Sequence, residues 1–192
     1  MDDLFDREED YITILAIDPG TITLGFAVYK LDIVTLEIKD VFAWTIDATR
    51  LSYFDPMIID IHGEKFARIM AIKRNFKGVL ECYKPLAIVC ETPFFNMRRP
   101  SAAGPLYELF ATLEQTVYEW DNFKPLYKVD PKTAKKAVKA AHNAKKEDIR
   151  AALKKIPELD IANIDLLDEH SNDALAVGYF KVTELRNKGV KS

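Results

Sequence analysis

The chain is 192 residues long, 48% hydrophobic and 30% charged, which allows one sizeable buried core and excludes a disordered polymer. Its net charge of −3, taken alone, argues against a nucleic-acid partner. No apolar run approaches the ~18 residues of a membrane span, the first residues are acidic where a secretion signal is basic, and Cys82 and Cys90 lack metal-type spacing, so a soluble intracellular protein with two reduced packing cysteines is expected.

Residues 1–10 hold six acids against Arg7 and are expected to form an acidic flexible tail, leaving 11–192 as a single domain. From Ile12 to Ile17 the chain is apolar apart from Thr13, the pattern of a strand buried on both faces. It ends on Asp18, and Pro19-Gly20 turns the chain into TITLGFAVYKL, the second arm of a hairpin. Asp18 either opens that turn or stands at the rim of the core as a functional carboxylate. LEIKDVFAWTID reads as a third strand completing a meander, and residues 49–61 as a surface loop without a period. His62 to Tyr83 repeats apolar residues at helical spacing, through Phe66, Ile69, Met70, Phe76, Val79, Leu80 and Tyr83, with Pro85 as the stop.

LAIVCE repeats the design of the first strand and ends on Glu91. A helix crossover places this fourth strand beside the first and parallel to it. Asp18 and Glu91 then share one edge of the sheet, and two acids there repel unless a cation, usually a divalent metal, lies between them. Behind Glu91, the loop with Phe94, Phe95, Met97, Arg98 and Arg99 mixes aromatics for base stacking with arginines for phosphates; the aromatics could equally be tucked beneath it. Leu106, Leu109, Phe110, Leu113 and Val117 define a second amphipathic helix and a candidate dimer surface. PLYKVD is a fifth strand.

From Lys124 to Lys155 there are eleven basic residues and three acidic ones. This local excess of eight positive charges leaves the rest of the chain at −11 and forms the footprint of a phosphate-binding face. PKTAKKAVKAA begins a helix with Pro131 in its first turn, and HNAKKEDIRAALKKI another, with Asn143 as cap and Lys145 and Lys146 near a start that suits phosphate. The last helix is expected from about Leu166. His170, Asp173, Ala174 and Val177 share one of its faces, and Glu169 is an alternative to His170 one turn from Asp173.

With Asp18, Glu91, His170 and Asp173 gathered in this order, the chain resembles the RuvC-type Holliday junction resolvases of the RNase H-like (retroviral integrase-like) nuclease superfamily, phage-type members included. IDPGTITLGFAV matches the first-strand motif, AIVCETPFF the Glu-bearing strand and aromatic loop, VDPKTAKKAVKA with AKKEDIRAALKKI the basic region, and HSNDALAVG the acidic helix. The resemblance implies an α/β, RNase H-like fold: a five-stranded mixed sheet flanked by helices, strands 1–3 an antiparallel meander and strands 4 and 5 parallel to strand 1. It implies metal ligands at Asp18, Glu91 and Asp173, with His170 at a position where members carry Asp or His. It also implies a junction-probing aromatic at Phe94 and functional lysines near Lys135 and Lys146; the arginine-bearing loop and the basic stretch themselves add Arg98, Arg99, Lys132 and Lys136 to the expected DNA-binding set. Departures are the acidic tail, an expanded region around residues 44–60, and Arg98-Arg99-Pro100.

The implied activity is paired, magnesium-dependent nicking of four-way DNA junctions in recombination and repair, by a homodimer in the cytoplasm of a bacterial or phage-infected cell, without membrane or nucleotide cofactor. Two Mg²⁺ ions ~3.5–4 Å apart suit such hydrolysis, and a histidine ligand favours Mn²⁺ as a substitute. Alternatives are a broader flap, fork or replication-branch nuclease with the same site, a structured-RNA nuclease, and a non-catalytic DNA-binding scaffold. DPGTITLG also looks like the first phosphate loop of actin-like ATPases and sugar kinases, which need two domains and a longer chain.

Overall fold

A computed structural model describes residues 11–93, 100–141, 146–161 and 164–189. The strands are β1 (Tyr11–Asp18), β2 (Thr23–Asp32), β3 (Ile38–Asp47), β4 (Ala87–Glu91) and β5 (Leu126–Val129). The helices are α1 (Pro56–His62), α2 (Glu64–Tyr83), α3 (Pro100–Trp120), α4 (Pro131–Ala137), α5 (Lys146–Leu153) and α6 (Glu169–Gly189). The sheet order is β3-β2-β1-β4-β5. β1 to β3 form the antiparallel meander, while β4 is parallel to β1 and β5 to β4, as the sequence pattern predicts.

β1 is apolar on both faces because the sheet is covered on both. Ile14 and Ala16 face a core built with Ala27, Tyr29 and Val89 under α4, α5 and α6. Leu15 and Ile17 face the opposite core, with Phe26, Val28, Ile88 and Cys90 under α2 and α3. The period-2 geometry of a strand thus sends alternate residues into two separate layers.

α6 lies directly on β1 and β2. A Cβ on Gly178 would come within 2.2 Å of the buried Tyr29 ring and 3.1 Å of Ala16 Cβ, so only glycine permits this approach. Tyr29 also donates its hydroxyl to the Leu175 carbonyl at 2.6 Å. Gly178→Val is expected to cost about 1–3 kcal/mol by overpacking, with a Tm lower by roughly 3–10 °C in a thermal melt. Lys181, buried farther along α6, pairs with Glu184 and lies 3.3 Å from the Tyr127 ring centroid, tying the helix to β5.

Three expectations need correction. Residues 49–61 are not simply loop: a 3₁₀ turn (Ala48–Arg50) and α1 fall there. Asp55 caps α1 through the Met57 N–H and Pro56 presets its first turn, but none of its side chains is buried, so no apolar period marks it. α2 begins after Gly63 and buries Ala67, Ile69, Ile72, Phe76 and Leu80, whereas Phe66 is exposed. Cys82 is exposed; of the two cysteines only Cys90 is a packing residue. Asn143 and residues 1–10 lie outside the described residues.

Candidate active site

Two strands ending on acids create the site. Ile17 pairs with Cys90 across the parallel β1–β4 ladder, so Asp18 and Glu91 end neighbouring strands, which run ~4.8 Å apart, at one edge. Asp18 is buried to 9% exposure and Glu91 is half-buried. Across the β1–β2 hairpin Asp18 is paired with Gly25. A Cβ on Gly25 would sit 2.1 Å from the His170 carbonyl oxygen, so the missing side chain admits the first turn of α6 over the end of β1.

His170 Nδ1 lies 2.8 Å from Asp18 Oδ2, and His170 Nε2 lies 2.7 Å from Thr23 Oγ1. A carboxylate only accepts, so Nδ1 donates to Asp18; in the neutral ring Nε2 then accepts from the Thr23 hydroxyl. The hydrogen bond to Asp18 is the main reason the ring's pKa is raised, followed by the charges of Asp18, Asp168 and Asp173, against the opposing effect of burial. Glu169 Oε1 stands 3.7 Å from Nε2, on the side of the ring away from Asp18.

Asp173 follows one turn along α6, half-buried. Burial is the first cause that pushes the Glu91 carboxyl up to about 8, and the charges of Asp18 and Asp173 are the next two; Lys135 acts in the opposite sense. Glu91 therefore feels all three groups, which places the two acids and the lysine around one rim. Lys135 is half-buried on α4, while Lys132 and Lys136 are exposed. Asp130 caps α4 through the Lys132 and Thr133 N–H groups, fixing the helix start beside β5. Lys146 is the first residue of α5. Phe94, Arg98 and Arg99 lie outside the described residues.

The donors suit a hard divalent cation: three carboxylates and one imidazole, with Glu91 holding near neutrality a proton that a cation would displace. Among the described residues, no three His, Cys, Asp or Glu side chains are turned so as to enclose an ion. Instead Asp18 is engaged by His170. The expected ligand set is thus a neighbourhood at one sheet edge and not a closed cage.

The sequence pattern missed the residues that hold α6 in place. Asp168 accepts from Thr45 Oγ1 at 2.6 Å and from the Ser171 N–H and hydroxyl at 2.9 Å each. These bonds keep its carboxyl below the ordinary range despite burial. Asp168 is therefore the N-cap, and α6 starts at Glu169, not Leu166, where a 3₁₀ turn (Ile164–Leu166) stands. An Asp just ahead of a helical period is a usable sequence signal for an N-cap; the Thr23 partnership carries none.

No protein-family model matches the chain. Over 184 residues it is 27% identical to the crossover junction endodeoxyribonuclease RuvC of Chlamydia abortus, covering 93% of this chain and 99% of the relative. Its fold is similar to Thermus thermophilus RuvC, with a TM-score of 0.68 at 22% identity, over 92% of this chain and 97% of the other. The chain has the fold of the RuvC proteins and resembles them in sequence along nearly its whole length. The structure of T. thermophilus RuvC in complex with Holliday junction substrate is also similar, with a TM-score of 0.64 at 20% identity, over 92% and 96% of the two chains. The RuvC-type sheet and the likeness extend over nearly the whole length of each relative, so the site described here lies inside the shared fold.

Proposed function

We propose that this chain is a structure-selective endodeoxyribonuclease that nicks four-way DNA junctions in recombination and repair. The observation that carries the reading is geometric: Asp18 and Glu91 end neighbouring parallel strands at one sheet edge, with His170 of α6 on Asp18, and there burial and the charges of Asp18 and Asp173 push Glu91 up to about 8. Like charges are concentrated at a site reached by solvent, and divalent cations resolve such a conflict.

Asp18, Glu91, Asp173 and His170 would hold Mg²⁺ or Mn²⁺, which when bound lowers the pKa of water and neutralises charge on the scissile phosphate. The remaining work falls to the protein. Lys135, whose charge acts on Glu91, holds a non-bridging phosphate oxygen beside the acids. Lys132 and Lys136, exposed on α4, would meet the duplex arms, and Lys146, Phe94, Arg98 and Arg99 are further candidates for DNA contact. The hydrogen-bonded cap of α6 keeps His170 and Asp173 at the rim during turnover. Residues 11–192 act as one nuclease domain behind an acidic tail, and symmetric nicking calls for a homodimer with two sites related by a twofold axis.

The test is digestion of a mobile four-way junction, a flap, a fork, a linear duplex and a hairpin RNA, each with Mg²⁺, Mn²⁺ or EDTA and without nucleotide. Paired nicks at the four-way junction, abolished by EDTA and faster than at the other substrates, are expected. Equal cutting of flaps and forks would move the assignment to a general branched-DNA nuclease, and cutting of the hairpin alone to RNA.

Lys135→Ala should slow junction cleavage by roughly 10²-fold in single-turnover assays, because a fixed cation beside the phosphate is lost. Junction binding should fall only slightly, with a salt dependence lower by about one phosphate contact.

A further inference from the structure

Thr23 has no task in the chemistry described so far, yet its backbone is held on two sides beside the site. It begins β2 and pairs with Asp47 of β3. The Pro19-Gly20 turn closes on its backbone so tightly that a Cβ on Gly20 would meet the Thr23 carbonyl oxygen at 2.1 Å. Its hydroxyl, 2.7 Å from His170 Nε2, is the outer end of a chain that runs through the ring to Asp18.

We propose that Thr23 is the positioning residue for His170: its hydroxyl holds Nε2 and so presents the Nδ1 edge of the ring to Asp18 and to any cation Asp18 binds. Two features of the geometry carry this. First, Glu169 Oε1 stands 3.7 Å from the same Nε2. Without the hydroxyl, Nε2 would take its proton and turn toward that carboxylate, leaving Asp18 without its partner. Second, a hydroxyl both donates and accepts. Thr23 therefore stays bonded to Nε2 whether the proton of the ring sits on Nδ1, facing the Asp18 carboxylate, or on Nε2, freeing the Nδ1 lone pair for a cation. Partners that orient a ligand histidine from behind tune its affinity for metal.

The part concerning cations rests on the function proposed above; the part concerning ring orientation does not. The experiment uses the full-length protein labelled with ¹⁵N, as wild type, Thr23→Val and Thr23→Ser. Valine copies the shape without the hydroxyl, and serine restores the hydroxyl. The chain has only three histidines, so the His170 ring can be assigned in long-range ¹H–¹⁵N spectra recorded in EDTA at alkaline pH. Wild type and Thr23→Ser should show a single tautomer protonated at Nδ1, and Thr23→Val a ring protonated at Nε2 and turned toward Glu169, so that its Nδ1 no longer faces Asp18. Calorimetric titration of the same proteins with Mn²⁺ should give an affinity about 10-fold or more weaker for Thr23→Val, recovered in Thr23→Ser. A Thr23→Val ring identical to wild type overturns the proposal, and so does an altered ring with unchanged Mn²⁺ affinity. If wild type itself takes up no Mn²⁺, the nuclease reading falls, and the ring spectra alone still decide the role of Thr23.

Discussion

Asp18→Asn is expected to lower junction cleavage by roughly 10³-fold or more while leaving the fold and junction binding in place. Asparagine fits the same space, and its amide oxygen can still accept from His170 Nδ1, the bond that measures 2.8 Å in the wild type. The negative charge is lost, and with it the hardest oxygen donor at the site. Binding, measured by gel shift in Ca²⁺ or EDTA, should be unchanged or tighter, because the basic residues of α4 and α5 that would meet phosphate are untouched and one acid has gone. The substitution should also leave a mark independent of catalysis. Asp18 is the first of the charges that weaken Glu91 as an acid, so Glu91 should titrate closer to the ordinary carboxylate range in the variant. Full cleavage by Asp18→Asn would remove Asp18 from the reaction and with it the proposed site. Loss of binding together with cleavage would instead favour a structural role.

Much of this arrangement was legible in the sequence because it depends on short-range pattern. The apolar runs ending on Asp18 and Glu91, separated by a helix, fix a parallel β1–β4 pair and hence the shared edge. The i, i+3 spacing of His170 and Asp173 puts both on the inner side of α6, where Ala174 and Val177 are buried. What stayed hidden has a physical reason in each case. α1 buries no side chain, so its helix is written only in the Asp55 cap and Pro56, not in a hydrophobic period. Thr23 meets His170 across 147 positions and Thr45 meets Asp168 across 123; such bonds exist only once the hairpin and α6 are packed, and no local spacing announces them. The glycines that let α6 approach, Gly25 and Gly178, have the same character: each is needed for a contact with a distant element.

Glu91→Gln should stabilise the metal-free protein while abolishing cleavage. The folded-state carboxyl is pushed up to about 8 from an ordinary value of 4.5. A raised carboxyl pKa means that the native state keeps a proton which the unfolded chain releases above the ordinary value. Stability therefore falls as pH rises through the window between the two values, and the full penalty is present above the upper one. Glutamine mimics the neutral form at every pH and escapes that penalty. At pH 8 in EDTA the variant should be more stable by ~2–4 kcal/mol, read as a Tm higher by roughly 5–15 °C. At pH 4.5, where Glu91 is largely protonated in wild type, the two proteins should melt together. Added Mg²⁺ should raise the wild-type Tm at pH 8 and leave Glu91→Gln nearly unmoved, since the cation relieves a repulsion the variant no longer has. Equal melting of the two proteins in EDTA across this pH range would mean that Glu91 is an ordinary solvated acid. The crowding of carboxylates at the end of β4 would then have no energetic consequence, and the cation site inferred from it would lose its basis.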